Sequence, residues 1–377
     1  MRVVHVMEST IGGTRRHLVD VARGQARAGL DVHVIASCER MAAFRDDMQA
    51  LSREGVHMYE VPMRREIAPR RDLAHARVIA ATLRSLRPQI VHTHSSKGGA
   101  LGRIASIATR QGRRVHTPHT FAFLFGQMFS PLKRRLFHGV EGVLGARTDR
   151  MIAVSASERA TIERSRVTRP ERLRVVANGI DPQPWRKAEP LPRGVLGVPE
   201  GKPVAAVVGL LNAAKGQDLA LELLALEGLG ELHLLIVGHG EDRAKLEALA
   251  AERGVASRAH FLGWRDDVPR LLASSDFLLL PSRWEGMPYI VLEAFAAGLP
   301  VVAASVDGAR DLIVEGSQGF LARVEDVADL ASATRRMLAL SPRERRALGQ
   351  SAAARVQDGY TIDHMVRGLI DVYRELA

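Results

Sequence analysis

Short runs of β-branched and aliphatic residues alternate with longer amphipathic stretches in the first half of the chain. The runs predict strands at 3–7, 32–36, 56–61, 90–93, 114–117, 151–154 and 173–176. Between them, apolar residues recur with helical spacing at 15–28, 73–86 and 99–110. Such alternation predicts right-handed βαβ units built around a parallel sheet.

The alternation starts again after residues 181–203, a stretch rich in proline and charge that is typical of a linker. Strands are predicted there at 204–208, 232–237, 260–262, 277–280 and 300–304. A last amphipathic segment, 362–376, can pack on either half. We therefore predict an α/β protein with two doubly wound domains, 1–182 and 183–358, and a C-terminal helix within 359–377 that can return to the first domain. Ligands of such folds bind at the carboxyl ends of the strands.

The positive charge lies in one half of the 377-residue chain. Up to Asp181 there are 31 Lys and Arg against 16 Asp and Glu, whereas the remainder has 22 against 26. A basic first half favours an anionic partner: nucleic acid, an acidic membrane surface or a phosphorylated acceptor. The alternative is a general preference for arginine on solvated faces. Cys38 is the single cysteine, and no run of about 18 apolar residues or signal-peptide pattern occurs, so we expect a cytoplasmic protein.

The most specific motif follows the predicted strand at 277–280. It places Glu285 and Glu293 eight residues apart, with Gly286, Met287 and Pro288 between them. Amides at the start of the following helix, with Pro288 in its first turn, suit phosphate or sugar hydroxyls. A carboxylate further along the helix can accept bonds from vicinal hydroxyls. Alternatively, Ser-x-x-Glu285 is a helix capping box and Glu293 a solvated helix residue.

This Glu-x7-Glu motif, with the Ala-x-Gly-x-Pro-Val-Val that follows, resembles the retaining glycosyltransferases of family 4. The resemblance extends over nearly the whole chain, through the glycines after the first strand, Val-Ala-Asn-Gly-Ile-Asp at 176–181, and Val-Gly at 208–209 before Lys-Gly at 215–216. It implies the GT-B fold, with two facing Rossmann-like domains that bind the acceptor mainly in the first and the nucleotide-sugar in the second. No bound cofactor or metal is expected, since the nucleotide-sugar is a substrate.

The resemblance also implies roles for individual residues. The donor-binding set is Gly12, Gly13, Lys215, Gly286, Met287, Pro288 and Glu293, and the catalytic set is His119, Lys215 and Glu285. Glycine lets amides approach phosphate, and a lysine offsets charge on the departing nucleotide. Taken alone, Lys215 reads as a surface lysine and His119 as a structural histidine. One departure matters: Leu210 stands where the family usually has a second phosphate-binding cation, an arginine.

Two histidine-containing stretches, at 92–103 and 116–123, are similar to a subgroup that extends lipid-diphosphate-linked sugars in bacterial polysaccharide synthesis. By this resemblance the donor is UDP-linked and the acceptor a glycan or lipid-diphosphate-linked sugar. We further expect Lys97 and Arg103 to bind the acceptor, because Lys-Gly-Gly precedes a helical pattern. His92-x-His94 with His116 and His119 also permits a zinc site, but no carboxylate or cysteine pattern completes it.

Aromatic residues between 121 and 137 surround Lys133-Arg134-Arg135. An apolar segment with a basic edge can lie on an acidic membrane, here the inner face of the cytoplasmic membrane, or it can be a core helix with a solvated basic face. We predict a glycosyltransferase. A sugar-nucleotide epimerase or a phosphorylase on the same fold remains open, as does a nucleic-acid-binding protein, although no nucleic-acid motif is present.

Overall fold

The computed structural model describes residues 1–126 and 128–377, which form two compact units. One unit comprises 1–178 together with 362–377, and the other comprises 179–361. Each is a parallel sheet with helices on its faces, the Rossmann-like architecture that the alternating pattern predicts. Among the described residues, no helix is both long and apolar enough to cross a membrane.

The first unit is built on a seven-stranded sheet with the order β3-β2-β1-β4-β5-β6-β7. Its strands are β1 (Arg2–Met7), β2 (Asp31–Ala36), β3 (His57–Glu60), β4 (Ile90–His94), β5 (Arg113–Thr117), β6 (Arg150–Ala153) and β7 (Leu173–Val175). Its helices are α1 (Gly12–Arg27), α2 (Phe44–Arg53), α3 (Pro69–Leu86), α4 (Ser96–Thr109), α5 (Pro131–Gly145) and α6 (Ala156–Ser165). All seven strands match the predicted positions to within two residues at either end.

The second unit contains a six-stranded sheet with the order β10-β9-β8-β11-β12-β13. Its strands are β8 (Val204–Val208), β9 (His233–Val237), β10 (Ala259–Gly263), β11 (Phe277–Leu280), β12 (Val301–Ala304) and β13 (Gly319–Ala322). Its helices are α7 (Gln183–Arg186), α8 (Gln217–Leu224), α9 (Arg243–Glu252), α10 (Val268–Ala273), α11 (Tyr289–Ala296), α12 (Ala309–Leu312), α13 (Val327–Ala339) and α14 (Pro342–Gly359). Strand β13 was not predicted from the sequence.

The last helix, α15 (Ile362–Arg374), packs against α1 in the first unit. Its apolar face, including Met365, Leu369 and Tyr373, joins a buried cluster with Val3 of β1 and Val21 of α1. Removing such a face from water stabilises the fold by roughly 25 cal/mol for each Å² of apolar surface that is buried. The chain therefore returns to the unit in which it began.

The linker predicted at 181–203 is wrong, because this stretch is packed onto the second unit. Leu196 and Val198 are buried with Val204 and Leu235, which belong to β8 and β9. The Leu191 amide donates to Ser274 Oγ at 2.7 Å, next to α10. Proline and charge mark a segment without a regular element, but apolar residues spaced among them attach it to the sheet.

Candidate functional site

The second sheet reverses its strand order between β8 and β11. At such a switch point the loops that follow the two strands diverge to opposite faces of the sheet and open a crevice at its carboxyl edge. The loop after β8 ends in a 3₁₀ turn, Ala213–Lys215, in which Asn212 Oδ1 accepts a bond from the Ala214 amide at 3.1 Å. The loop after β11 carries the Glu-Gly-x-Pro motif. Lys215 and Glu285, both predicted as site residues, therefore lie at the switch point.

Lys215 and Glu285 form an ion pair at this point. Lys215 Nζ donates to Glu285 Oε1 at 2.7 Å, and Ser282 Oγ donates to the same oxygen at 2.8 Å. The two charged side chains retain 26% and 11% of their exposure. The pair holds an ammonium at the crevice, where an anionic ligand can reach it. The sequence predicted that Lys215 and Glu285 belong to one site, but it did not predict the direct contact between them.

The loops at this edge approach too closely for side chains at two glycines. A Cβ on Gly216, whose φ is +65°, would lie 2.2 Å from the Pro281 carbonyl oxygen. One on Gly308, with φ of +71°, would lie 2.5 Å from both the Gly286 oxygen and the Met287 Cα. Contacts under 3 Å force the backbone to move, so these positions require glycine. They press the loops after β8 and β12 against the loop after β11 and fix its shape.

The helix after β11 starts later than predicted. Tyr289 is the first residue of α11 and Pro288 is its N-cap, so Pro288 precedes the first turn. The capping-box alternative is wrong, because the Ser282 hydroxyl bonds the Glu285 carboxylate ahead of the helix. Gly286, Met287 and Pro288 are buried, and Glu293 is half-buried on α11.

Arg283 is a positioning residue that the sequence analysis missed. Its guanidinium donates to both oxygens of Asp218, at 2.9 and 2.6 Å, to Glu325 Oε1 at 2.8 Å and to the Ala213 carbonyl at 2.8 Å. These bonds raise the pKa of Arg283, first through Asp218. Arg283 thus ties the loop after β11 to the turn that carries Lys215. Arg265 likewise donates to both oxygens of Asp267, each at 2.7 Å.

The first sheet reverses its order between β1 and β4. Gly12, with φ of +55°, begins α1 at this edge, and Gly12 and Gly13 are exposed. The first turn of α1 carries no acidic residue, and its N-cap Ile11 has no side chain that could bond the amides. An exposed helix N-terminus of this kind suits an anion.

Six histidines lie close together at and beneath the same edge: His5, His17, His92, His94, His116 and His119. Five are buried and His119 is half-buried. His94 Nδ1 lies 3.4 Å from His119 Nε2, and the rings of His17 and His119 meet edge to face, 4.6 Å between centroids. Burial lowers the pKa of His5 and of His17 to about 4, and lowers the pKa of the others well below the usual value. These imidazoles, that of His119 included, are therefore neutral at pH 7.

The turn at His119 is strained. His119 and Thr120 have φ of +51° and +79°, a region that side chains disfavour. Glu158 on α6 holds the turn: its Oε1 accepts from the Thr120 amide at 2.8 Å and its Oε2 from the Val154 amide at 2.7 Å. Strain that a surrounding structure maintains is typical of functional sites.

Two histidine groups at this edge have the spacing of metal ligands. In the group His5, His92 and His94, both His92 nitrogens are already engaged, Nδ1 with Tyr373 Oη at 2.5 Å and Nε2 with Thr117 Oγ1 at 2.8 Å. The group His17, His94 and His119 offers three neutral imidazoles, the ligand set that zinc accepts. That no metal is bound stays a prediction.

The predicted acceptor residues occupy different environments. Lys97 lies in the first turn of α4, where Nζ donates to Asp72 and to the Glu66 carbonyl, each at 2.7 Å. Arg103 has no exposed surface; it donates to Glu141 Oε2 at 2.8 Å and to the Gly99 carbonyl at 2.9 Å. The prediction for Arg103 does not fit this placement, because a fully buried guanidinium cannot reach a ligand. Arg103 instead joins α4 to α5.

Glu8 was overlooked by the sequence analysis. It follows β1 at the switch point and is 3% exposed, and burial raises the pKa of its carboxyl group. Gly98 of α4 packs directly on it: a Cβ there would lie 2.8 Å from the Glu8 amide nitrogen. A single glutamate after a strand carries no signal that separates it from a surface residue.

Comparisons with known proteins give the family. Residues 11–184 match the model described as Glycosyltransferase Family 4, and residues 190–355 match Glycosyl transferases group 1. The chain is 27% identical to the Escherichia coli UDP-Gal:alpha-D-GlcNAc-diphosphoundecaprenol alpha-1,3-galactosyltransferase, over 86% of this chain and 85% of that one. It is 30% identical to the Rhodococcus opacus D-inositol 3-phosphate glycosyltransferase, over 76% and 67%. The structure of Anabaena Alr3699/HepE with UDP and glucose superposes with a TM-score of 0.83 at 21% identity, covering both chains fully.

The fold is GT-B, and the class of protein is a glycosyltransferase that uses a nucleotide-sugar as its substrate. The chain belongs to glycosyltransferase family 4. Of the classes that the sequence left open, the comparisons select the transferase over the epimerase, the phosphorylase and the nucleic-acid-binding protein.

Proposed function

We propose that this enzyme transfers a sugar from a UDP-sugar to a hydroxyl of a glycan or lipid-diphosphate-linked acceptor, with retention of anomeric configuration. The observation that carries the proposal is the Lys215–Glu285 pair at the switch point of the second sheet. It combines a cation for a diphosphate with a carboxylate beside the glycine-shaped loop. The E. coli relative is named for UDP-Gal and a diphosphoundecaprenol acceptor, and the Anabaena structure contains UDP.

Each residue has a role in this proposal. Lys215 neutralises charge that develops on the departing diphosphate. Glu285 and the amides at Gly286, Met287 and Pro288 face the sugar, and Glu293 accepts bonds from the ribose hydroxyls. His119, a neutral imidazole on a strained turn, bonds a hydroxyl of the transferring sugar. The amides of Gly12 and Gly13 bind phosphate oxygens, and Lys97 contacts the acceptor. The enzyme works by positioning and charge stabilisation, without a covalent nucleophile or a bound cofactor.

A membrane contact is part of the proposal. Leu132, Leu136, Val140 and Val143 are spaced to share one face of α5 and are 78%, 58%, 41% and 59% exposed. We call this face the apolar stripe; Lys133 and Arg135 beside it are exposed. The aromatic residues predicted for this role differ in placement: Phe121 and Phe123 are buried with Met151 and Ile162, and Gln127 of that segment lies outside the described residues.

The proposal is tested by a thermal-shift series with UDP-, GDP-, ADP- and TDP-sugars, since a ligand that binds only the folded state raises its stability. We expect the largest shift with a UDP-sugar. Transfer to a lipid-diphosphate-linked sugar should then exceed transfer to a short water-soluble sugar without phosphate, and proton NMR of the product gives its anomeric configuration. A larger shift with another nucleotide, an inverted product or equal use of both acceptors would each contradict one part.

A further inference from the structure

A continuous path of hydrogen bonds runs through the first unit from the C-terminal helix to His119. Tyr373 Oη of α15 lies 3.2 Å from Gln25 Nε2, and Gln25 Oε1 lies 2.8 Å from His5 Nε2. His5 Nδ1 is 3.0 Å from His94 Nε2, and His94 Nδ1 is 3.4 Å from His119 Nε2. In the other direction Tyr373 reaches His92 and Thr117. Apart from His119, every side chain on this path has no exposed surface.

Because burial keeps these imidazoles neutral, each ring has one N–H and one lone pair. A ring between two partners must then donate to one and accept from the other. The proton position on one histidine therefore dictates that on the next. No solvent reaches the buried members to supply an alternative partner, so the constraint is transmitted from Gln25 to His119.

The Gln25 amide sets the direction of the path. With Nε2 donating to Tyr373, its carbonyl oxygen must accept from His5 Nε2–H. His5 Nδ1 then accepts from His94 Nε2–H, and His94 Nδ1 accepts from His119 Nε2–H. His119 is left with a lone pair on Nδ1. Turning the amide over would reverse every bond and give His119 an N–H at Nδ1 instead.

We propose that Tyr373 and Gln25 are positioning residues of the transfer site, which act through His5 and His94 to fix which nitrogen of His119 carries the proton. The inference rests on the proposed function in one respect, that His119 contacts the transferring sugar. A protonated Nδ1 donates to the oxygen of a sugar hydroxyl, whereas an Nδ1 with a lone pair accepts the proton of that hydroxyl. The last helix, α15, thereby acts on the site through side chains of α1, β1 and β4.

The other polar groups around His119 define what the path competes with. His17 of α1 packs edge to face on the His119 ring and is bonded through Nδ1 to Asn178 Oδ1 at 3.0 Å. Glu158 of α6 accepts a hydrogen bond from the Thr120 amide in the turn, at 2.8 Å. Thus His94 is the group that faces His119 Nε2 with a nitrogen fixed by further bonds, and the path through it decides the tautomer.

The experiment uses the full chain with Tyr373→Phe, which removes only the hydroxyl, and Gln25→Met, which removes the amide. Tyr59→Phe is the matched control, since Tyr59 Oη also bonds a histidine, His33 Nδ1 at 3.2 Å, in the same sheet but off the path. The tautomer of His119 is read from its ¹⁵N chemical shifts, assigned with His119→Gln. Transfer kinetics are measured with the donor and acceptor that the wild type uses.

We expect Tyr373→Phe and Gln25→Met to change the Nδ1 and Nε2 shifts of His119 towards a tautomer mixture. Each should lower kcat on the order of tenfold with donor KM nearly unchanged. The double variant should lose no more than the worse single variant, because both break one path. Tyr59→Phe should change neither quantity. If Tyr373→Phe does not fold, Gln25→Met carries the same expectations.

Unchanged His119 shifts in a folded Gln25→Met variant would overturn the proposal, as would equal kcat losses in Tyr59→Phe. One zinc per chain that is lost in His94→Ala would also overturn it, because a metal would then replace the His94–His119 bond. Failure of the underlying role looks different: the His119 shifts would respond to Tyr373→Phe while His119→Gln kept the wild-type kcat.

Discussion

The two units have the same architecture and opposite chemistry at the same position. In each, the strand order reverses beside the first strand, β1 in one and β8 in the other. The first unit fills that position with buried neutral imidazoles, whereas the second places there a partly exposed Lys–Glu pair among glycine-tight loops. The fold therefore determines where a ligand binds, and the side chains after the strands determine what the ligand is.

In each unit the charge at the switch point differs from the charge of that half of the chain as a whole. The basic excess of the chain lies in the first half, yet the histidines at its switch point are neutral at pH 7, and Lys97 there is paired with Asp72. The second half is slightly acidic overall, and its switch point presents an ammonium. We infer that the second unit supplies the cation that meets the charge of the departing diphosphate, whereas the first unit contacts the donor through neutral groups, the His119 imidazole and the amides of Gly12 and Gly13.

The largest expected effect tests the charged half of this comparison. Lys215→Ala should lower kcat on the order of 10²- to 10³-fold, with a smaller change in donor affinity, because the ammonium meets charge that grows in the transition state. Steady-state kinetics and donor calorimetry measure the two quantities. Lys202→Ala, which removes another Lys–Glu pair of the same unit, is the control. A wild-type kcat in Lys215→Ala would exclude the lysine from catalysis.

The next effect is on donor binding. Glu293→Ala removes a charged acceptor proposed for two ribose hydroxyls, a loss of about 1.5–3 kcal/mol, or roughly 10- to 150-fold in Kd. Calorimetry with the preferred nucleotide measures it. Glu247→Ala on α9, an exposed glutamate paired with Arg243, should leave Kd unchanged. Equal affinity in the two variants would place Glu293 outside the site.

The sequence predicted the fold well and the site unevenly, for physical reasons. Buried parallel strands are continuous apolar runs, so seven strands of one unit and five of the other were visible. The Glu285 motif was visible because helix, turn and charge requirements coincide in one segment. Arg283 and the Tyr373–His119 path were not, because each joins residues far apart in sequence, 348 positions in the case of Gln25 and Tyr373. Burial also could not be predicted for Arg103, whose partner Glu141 lies on another helix.

A third prediction concerns stability and the neutral half of the comparison. The pKa of His5 and of His17 is about 4 in the folded chain, below the usual value of about 6.5. Between those values the unfolded chain binds more protons than the folded one, so stability is complete above about pH 6.5 and is lost as the pH falls towards 4. At pH 5 we expect the free energy of unfolding of the first unit to be lower than at pH 7.5 by on the order of a few kcal/mol.

The tryptophans allow this loss to be assigned. Trp185, Trp264 and Trp284 all belong to the second unit, so their fluorescence follows that unit, while circular dichroism follows both. On lowering the pH from 7.5 to 5, the urea transition seen by circular dichroism should gain an earlier phase that fluorescence lacks. The His17→Gln variant should show less pH dependence. Identical shifts of both signals would mean that the histidines of the first unit are not the cause.

The smallest effect concerns the apolar stripe. Leu132→Glu and Leu136→Glu place a carboxylate among exposed apolar residues beside Lys133 and Arg135, and should weaken attachment to vesicles that contain acidic lipid. Each basic residue near such a surface contributes about 1 kcal/mol, screened over about 8 Å at physiological ionic strength, so wild-type attachment should also decrease as salt rises. Vesicle flotation at low and high salt measures both effects.

Val195→Glu is the control, because Val195 is 72% exposed but lies in the second unit. Both stripe variants should keep activity on a water-soluble acceptor, because neither Leu132 nor Leu136 is among the residues proposed to bind the donor or the acceptor. If the wild type does not float at low salt, or if Val195→Glu weakens flotation as much as Leu136→Glu, the basic and apolar surface of the first unit serves another partner.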